Sequence, residues 1–423
     1  MSKKSEYRVL YSVSCILCFL LALGIGNPPQ ADCAERIGLR ETVQRALENN
    51  LELQAFRKRL EEAKGDITKA SLLLPSNPTV GTRMGERHNT RTDSRNTDYT
   101  ITLSQEFRIA GQRGKGISVA EKNLEKVTAE VETLEWDITA RVKKNFYEVL
   151  ALKRVLEARQ TIQELYERLR EAMQLKFKEG AATILELNTA NIQYNRARRE
   201  YQVTSGGYAS SLLGLKLLLA LPEDYPLEPA GELQYAAMRP DLPGLIKGAL
   251  QTRPDLKAVE REVERAELEI GLLKSQRVPN AQVDGFFGRE EGSQRLLGGG
   301  ITIPLPLIDR KQGELQKASA SKAAARLNLE NKHLQIRKEV QSAYEVFLAS
   351  QKGLEAYEGI VTEMAESLKL NELTYTEGKV GFVEFVLLQN NLIEAKISYL
   401  EALLGYYRAI VDLEKAAIRK LIE

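Results

Sequence analysis

The chain has 423 residues, of which 43% are hydrophobic and 28% charged, so it carries enough apolar side chains for a sizeable core. A formal net charge of +2 gives no electrostatic footprint for nucleic acid, and no nucleic-acid partner is expected. Two His and three Cys exclude zinc fingers, disulfide-rich scaffolds and His-rich metal cages.

Residues 1–34 have the pattern of a secretory signal peptide. A basic start precedes the apolar run 9–26, and the helix-breaking Pro28 and Pro29 follow it. A membrane-spanning anchor is the alternative, because the run approaches the roughly 20 residues that a span needs. The cleavage point is left open, and so is lipidation or removal of Cys33.

The first predicted elements of the exported chain are a helix and two strands. A helical pattern over 39–74 ends at the Pro-containing segment 75–78. Residues 79–86 predict a strand, and the polar stretch 88–98 predicts a loop. In residues 99–107 apolar and polar side chains alternate, which predicts a second strand with one apolar face.

A long helix and a tight turn come next. Residues 117–178 contain neither Pro nor Gly, and a helix over 116–178 is roughly 93 Å long. No globular core is that wide, so the helix must pack along its length in a coiled coil or a helical tube. Gly180 follows the last helical turn, where glycine commonly ends helices, so residues 179–182 predict the tip of a helical hairpin.

The chain then repeats itself once. A Pro-rich connector over 222–243 separates a first repeat, 35–221, from a second repeat, 244–423. Matching segments recur at offsets that drift between 203 and 197 positions, as expected when insertions lie in loops. In chain order, the second repeat predicts strands over 281–288 and 296–303, with a loop over 289–295 between them, then a helix over 315–376 and a tip at 377–381.

Four strands per chain limit the assemblies that are possible in a membrane. A spanning barrel needs at least about eight strands, because open strand edges are not tolerated in lipid. Two chains supply eight strands with little room inside, whereas three supply twelve, which can surround an aqueous lumen. A soluble sheet at the end of a coiled coil is the alternative that the strands leave open.

Two corner sequences resemble a known family. LSQEFRIAGQRGKG (103–116) and ITIPLPLIDRKQGE (301–314) are similar to the strand-to-helix corners of the TolC-type outer-membrane efflux family, and closest to its heavy-metal and cation branch. RPDL at 253–256 and the Pro-Asn pair at 279–280 fit the same branch. Together with the duplication, the four strands and the Glu-Gly tips, the resemblance covers essentially the whole exported chain.

The resemblance implies a mainly α fold with a small β part. A homotrimer would form a long α-helical coiled-coil barrel in the periplasm and a 12-stranded β-barrel in outer-membrane lipid. The helical tips would meet a periplasmic adaptor and an inner-membrane efflux pump. The chain would be a passive exit duct for metal cations or drugs, with no enzymatic activity and no cofactor.

The resemblance also implies roles for individual residues. Glu384 would form an acidic ring that narrows the periplasmic entrance, although Leu387 stands where a second acid often occurs. Glu186 is its internal counterpart, 198 positions earlier, and an ordinary helix-surface carboxylate is the alternative for both. The implied adaptor contacts are the tip residues Glu179, Gly180, Ala181, Glu377, Gly378, Lys379, Val380 and Gly381.

Other functions find less support in the residues. A periplasmic adaptor needs a β-sandwich beside a single helical hairpin, and a coiled-coil scaffold has no need of matching strand pairs in both repeats. With two His and no phosphate-binding Gly pattern, no catalytic constellation is found. His88 and His333 lack partners at ligand spacing, so a metal substrate rests on the resemblance alone.

Overall fold

A computed structural model describes residues 35–290, 294–357 and 360–421, and within these ranges it contains nine helices and six strands. The predicted signal peptide, 1–34, lies outside the described residues. The helices are α1 (Leu39–Asn49), α2 (Leu51–Ser71), α3 (Gln112–Lys178), α4 (Ile184–Leu218), α5 (Leu242–Thr252), α6 (Pro254–Gln276), α7 (Gln312–Glu355), α8 (Ile360–Thr376) and α9 (Phe382–Ala417). The strands are β1 (Glu35–Ile37), β2 (Thr79–Asn89), β3 (Ser94–Phe107), β4 (Leu227–Pro229), β5 (Ala281–Glu290) and β6 (Gln294–Thr302).

Helix α3 organises the helical part. Its 67 residues correspond to about 100 Å, which confirms the predicted long helix. It packs against α2, α4, α6 and α9, and α7 packs against α6 and α9. Side chains such as Val142, Phe146, Phe347 and Ile410 are almost fully buried between these helices and form the main core. None of the helices within the described ranges is long and apolar enough to cross a membrane.

The single helix predicted over 39–74 is wrong, because the chain turns at Asn50 and α2 ends at Ser71. The Asn50 side chain accepts a hydrogen bond from the Leu53 N–H at 3.1 Å and donates one to the Leu218 carbonyl at 3.0 Å. It therefore caps α2 and joins it to the end of α4. Arg253 occupies the equivalent break between α5 and α6.

The second long helix is also shorter than predicted. Instead of running over 315–376, α7 ends at Glu355, and α8 begins at Ile360. Ala356 caps α7, and the Tyr357 N–H turns back to the Leu354 carbonyl at 3.0 Å, which tightens the chain into a 3₁₀-type turn.

The four predicted strands form one antiparallel sheet in the order β2-β3-β5-β6. The loop predicted over 88–98 is wrong, because β2 extends to Asn89 and β3 begins at Ser94. Polar side chains pair across this hairpin, as in the 2.9 Å ion pair between Arg87 and Asp98. Likewise Arg289, Glu290, Gln294 and Arg295 lie in strands rather than in the predicted loop over 289–295.

The sheet has one apolar face and one polar face, set by its register. Ile101 pairs with Thr82 and Phe287, and Leu103 pairs with Val80. Exposed side chains on this apolar face are Val80, Met84, Ile101, Leu103, Phe107, Val283, Phe287, Leu297 and Ile301. The other face carries Thr100, Thr102 and Ser104 among its residues. This alternation is typical of a barrel strand between lipid and an aqueous lumen.

A short parallel pair of strands, β1 and β4, joins the start of the chain to the connector and was not predicted. Glu35 on β1 receives hydrogen bonds from Arg45 and Tyr225, which lower the pKa of its carboxyl to about 2. Lys153 on α3 binds Glu228 on β4 at 2.5 Å. These contacts hold the connector against the helical part of the chain.

Candidate functional site at the helical tips

The two helical hairpins turn in the same way at the end of the molecule away from the sheet. Gly180 has φ +73° and Gly378 has φ +71°, in the left-handed region that favours glycine. At the first tip, the Gly180 N–H donates to the Phe177 carbonyl and the Ala181 N–H donates to the Lys176 carbonyl. The second tip repeats both bonds 198 positions later, so each hairpin ends in a Schellman motif.

The helices that leave the two tips begin differently. Thr183 caps α4 in a capping box: its hydroxyl accepts from the Glu186 N–H, and the Glu186 carboxylate accepts from the Thr183 N–H at 2.8 Å. Gly381 stands at the equivalent position before α9 and has no side chain to form such a bond. The two tips therefore share a backbone and differ in their caps.

This difference separates the two predicted pore carboxylates. Backbone and hydroxyl hydrogen bonds from Thr183 hold the pKa of Glu186 below its ordinary value, and the positive charge of Lys176 acts in the same direction. Glu384, at the same place on α9, is exposed, and its carboxylate forms no hydrogen bond or ion pair with any described residue. Glu186 is thus engaged in its own helix start, whereas the Glu384 carboxylate is available to solutes.

An apolar cluster next to the tips packs the two hairpins against each other. Tyr166, Met173, Phe382, Phe385 and Val386 are buried in it. The Tyr375 ring stacks on Phe385 with centroids 4.7 Å apart. The tip residue Val380 is partly buried against this cluster. The other predicted adaptor-contact residues are exposed: Glu179, Gly180, Ala181, Glu377, Gly378, Lys379 and Gly381.

Polar contacts beside this cluster connect the repeats, and sequence reasoning missed them. The Tyr166 hydroxyl donates to Asn390 at 2.8 Å, and the Asn390 amide donates to Gln193 at 3.3 Å. Arg196 on α4 donates to Glu394 on α9 at 3.0 Å. Since positions 196 and 394 are 198 residues apart, opposite charges at equivalent positions were a usable signal.

Metal chemistry has no resident site in the part of the chain that the structure describes. No group of three or more His, Cys, Asp or Glu side chains there is placed to hold a metal ion. His88 is exposed and contacts Asp93 at 2.9 Å in the β2–β3 hairpin.

A duplicated chain with a helix of about 100 Å, a four-stranded sheet at one end and paired helical tips at the other has the architecture of an efflux-channel protomer. The chain belongs to the Outer membrane efflux protein family, whose sequence profile matches residues 42–221 and 245–417.

Individual relatives agree with this assignment. Over 387 residues the chain is 23% identical to the cobalt-zinc-cadmium resistance protein CzcC of Cupriavidus metallidurans, and the match covers 91% of this chain and 90% of that protein. The fold is similar to the CmeC outer membrane channel of Campylobacter jejuni, with a TM-score of 0.75, 16% identity, and coverage of 90% of this chain and 85% of that one. It is also similar to CusC, with a TM-score of 0.69, 16% identity, and coverage of 90% and 91%.

The family assignment confirms the predicted function and location. The protein is the outer-membrane channel component of a tripartite efflux system, with a periplasmic extension. Channels of this family are trimers that work with an adaptor and a pump. The predicted fold class is confirmed as well: a helical barrel with four strands per chain contributing to a β-barrel.

Proposed function

We propose that this channel is an exit duct for heavy-metal cations and that Glu384 lines its periplasmic entrance. The observation that carries the proposal is the exposed Glu384 carboxylate, which has no described partner and lies one helical turn from a hairpin tip. The similarity to a cobalt-zinc-cadmium resistance protein supports cations as the substrate class.

Three copies of Glu384 around a threefold axis would attract cations and repel one another. A divalent cation about 7 Å from each of three carboxylates gains roughly 3.6 kcal/mol of Coulomb energy at the dielectric constant of water. Screening at physiological ionic strength reduces this to about 1.5 kcal/mol, which is about a tenfold effect on binding. Glu186 contributes less in this proposal, because the hydrogen bonds from Thr183 and the positive charge of Lys176 offset part of the negative potential of its carboxylate.

We further propose that the exposed tip residues contact the periplasmic adaptor. Gly180 and Gly378 leave the tips without bulky side chains, and a Cβ at either position would meet no atom within 4 Å, so the tips are open to close approach. Lys379 is 68% exposed beyond its 2.6 Å ion pair with Glu377 and adds a charge that a partner can recognise. Surfaces of this kind suit tip-to-tip docking.

We also propose the domain organisation expected from the sequence: repeats over 35–221 and 244–423 with a connector over 222–243. Support comes from equivalent chain breaks at Asn50 and Arg253 and from the paired Schellman turns. The proposed pore therefore has two hairpins from each chain around its entrance, and of the two carboxylates at equivalent positions on α4 and α9, only the one on α9 has no partner among the described residues.

Planar-bilayer recordings test the entrance. For Glu384→Gln we expect the half-blocking Co²⁺ concentration, added from the tip side, to rise about tenfold. The matched control Glu186→Gln keeps a residue type that completes a capping box and should change this value less than about twofold. Equal effects of the two variants would contradict the role of Glu384. A conducting wild-type pore without preference for divalent cations would overturn the cation proposal and leave the channel itself intact.

A further inference from the structure

Two arginines stand side by side at the outer end of the sheet's apolar face. Arg289 on β5 lies directly opposite Arg295 on β6, and Tyr99 on β3 is the other neighbour of Arg289. One row nearer the helices, the same face carries Phe287 opposite Leu297. The arginines are therefore the first charged row above an apolar surface on this pair of strands.

Among the residues that the structure describes, this pair is electrostatically unfavourable. Like charges directly opposite each other on neighbouring strands destabilise a sheet. Both side chains are exposed, and neither guanidinium has a hydrogen bond or an ion pair with any residue that the structure describes. An anion between the two would turn their mutual repulsion into two attractive contacts.

The height of the pair on the sheet places it at a membrane surface. Along β3, Phe107 and Tyr99 lie eight residues apart on the apolar face, which is about 27 Å of strand. At the usual barrel tilt of about 40° this spans roughly 21 Å, close to the apolar band of about 25 Å in outer-membrane barrels. Because the helices leave from the Phe107 end, the Tyr99 row lies at the outer surface of the membrane.

We propose that Arg289 and Arg295 together bind a phosphate group of a lipid in the outer leaflet of the outer membrane. Planar guanidinium groups bind phosphate oxygens through paired N–H donors, and two adjacent arginines offer this twice. The apolar row of Phe287 and Leu297 directly below would contact the acyl chains of the same lipid. The inference rests on the orientation of the sheet in the bilayer, with its apolar face toward lipid.

The polar face supplies a matched control. Arg83 on β2 pairs with Thr100, and its side chain lies on the opposite face of the same sheet. It is one residue row away from the level of Tyr99 and has no described partner. If lipid binding needed only positive charge at the outer end of the barrel, Arg83→Gln would weaken it as well. If lipid binds at the proposed arginine pair, Arg83→Gln should leave binding unchanged.

Native mass spectrometry of the detergent-extracted trimer, titrated with lipid A carrying its phosphates, measures the binding. We expect the dissociation constant to rise roughly 30-fold in the Arg289→Gln, Arg295→Gln double variant and less than twofold in Arg83→Gln. The trimer mass in the same spectra reports assembly. If the double variant does not assemble, Arg289→Lys with Arg295→Lys keeps the charge, loses the paired donors and should weaken binding several-fold.

Two further arms identify the source of the phosphate. Dephosphorylated lipid A should bind wild type no better than it binds the double variant. Inorganic phosphate at 10 mM should leave the bound lipid in place. Unchanged lipid binding in the double variant, an equal loss in Arg83→Gln, or displacement by inorganic phosphate would each overturn the proposal.

Discussion

Lys143 and Lys144 are adjacent lysines on α3 that each bind a carboxylate on α9, and they differ mainly in burial. The Lys143 ammonium lies 2.7 Å from Glu414, with the two side chains 8% and 5% exposed. The Lys144 ammonium lies 2.5 Å from Asp412, with exposures of 35% and 46%. Replacing each lysine by Met, which keeps a similar length and removes the charge, therefore tests what burial does to an ion pair.

The two substitutions are expected to lower the free energy of unfolding by very different amounts. Lys143→Met leaves the Glu414 carboxylate buried without its ammonium, which destabilises a protein by about 3–5 kcal/mol. Lys144→Met removes a partly exposed pair, which contributes about 0–1 kcal/mol. For a chain of this length the unfolding entropy is about 0.9 kcal/mol/K, so the melting temperature should fall by about 3–6 °C for Lys143→Met and by no more than about 1 °C for Lys144→Met.

Thermal unfolding of the detergent-solubilised trimer measures both shifts under one condition. The double variant Lys143→Met, Glu414→Gln should recover at least half of the loss, because Gln is neutral and still accepts the Leu421 N–H that binds Glu414 at 2.6 Å. Equal shifts for the two lysine variants, or no recovery in the double variant, would refute the argument that loss of the buried ammonium beside Glu414 sets the energy.

Two further predictions concern the sheet and acid stability. Gly288→Ala should reduce the fraction of folded trimer on semi-native gels, because a Cβ there lies 2.4 Å from the Tyr99 carbonyl oxygen; Gly285→Ala meets nothing within 4 Å and should not. Burial alone would raise the pKa of Asp255, but hydrogen bonds from Arg253 and Lys332 lower it from 3.8 to about 2. The stabilisation from ionised Asp255 is thus complete above about pH 4 and is lost as pH falls toward 2. Asp255→Asn should therefore make the melting temperature less dependent on pH over that interval. An unchanged slope of melting temperature against pH would contradict this.

The long helix and the tips were predictable because their signals are local. Residues 117–178 lack Pro and Gly, and Gly180 and Gly378 follow the last turns of their helices. The break at Asn50 carries a weaker local signal, an Asn that caps the next helix through the Leu53 N–H. It also depends on the contact of the Asn50 amide with the Leu218 carbonyl, which is 168 residues away in the chain.

Strand ends were missed for a different reason. Beyond the apolar rows of a barrel, the strands continue in water. There, polar residues such as Arg87, His88 and Arg95 pair across the strands just as apolar residues do within the membrane. The change from apolar to polar residues therefore indicates where a strand leaves the membrane, not where the strand ends. The polar contacts beside the tip cluster, such as Tyr166 to Asn390, join residues 224 positions apart in the two repeats and depend on how the hairpins pack.

In the proposed pore, the two tips of the duplicated chain separate stability from function. At the first tip, Thr183 and Glu186 complete a capping box, an arrangement that typically contributes about 1 kcal/mol to a helix start. At the second tip Gly381 takes the cap position, where glycine is weaker than Ser or Thr by only a few tenths of a kcal/mol. The small loss leaves the Glu384 carboxylate outside any capping box, so its charge is free for the proposed role at the pore entrance. Placing Thr at position 381 would draw Glu384 into a capping box and should weaken cation binding while making the helix start more stable.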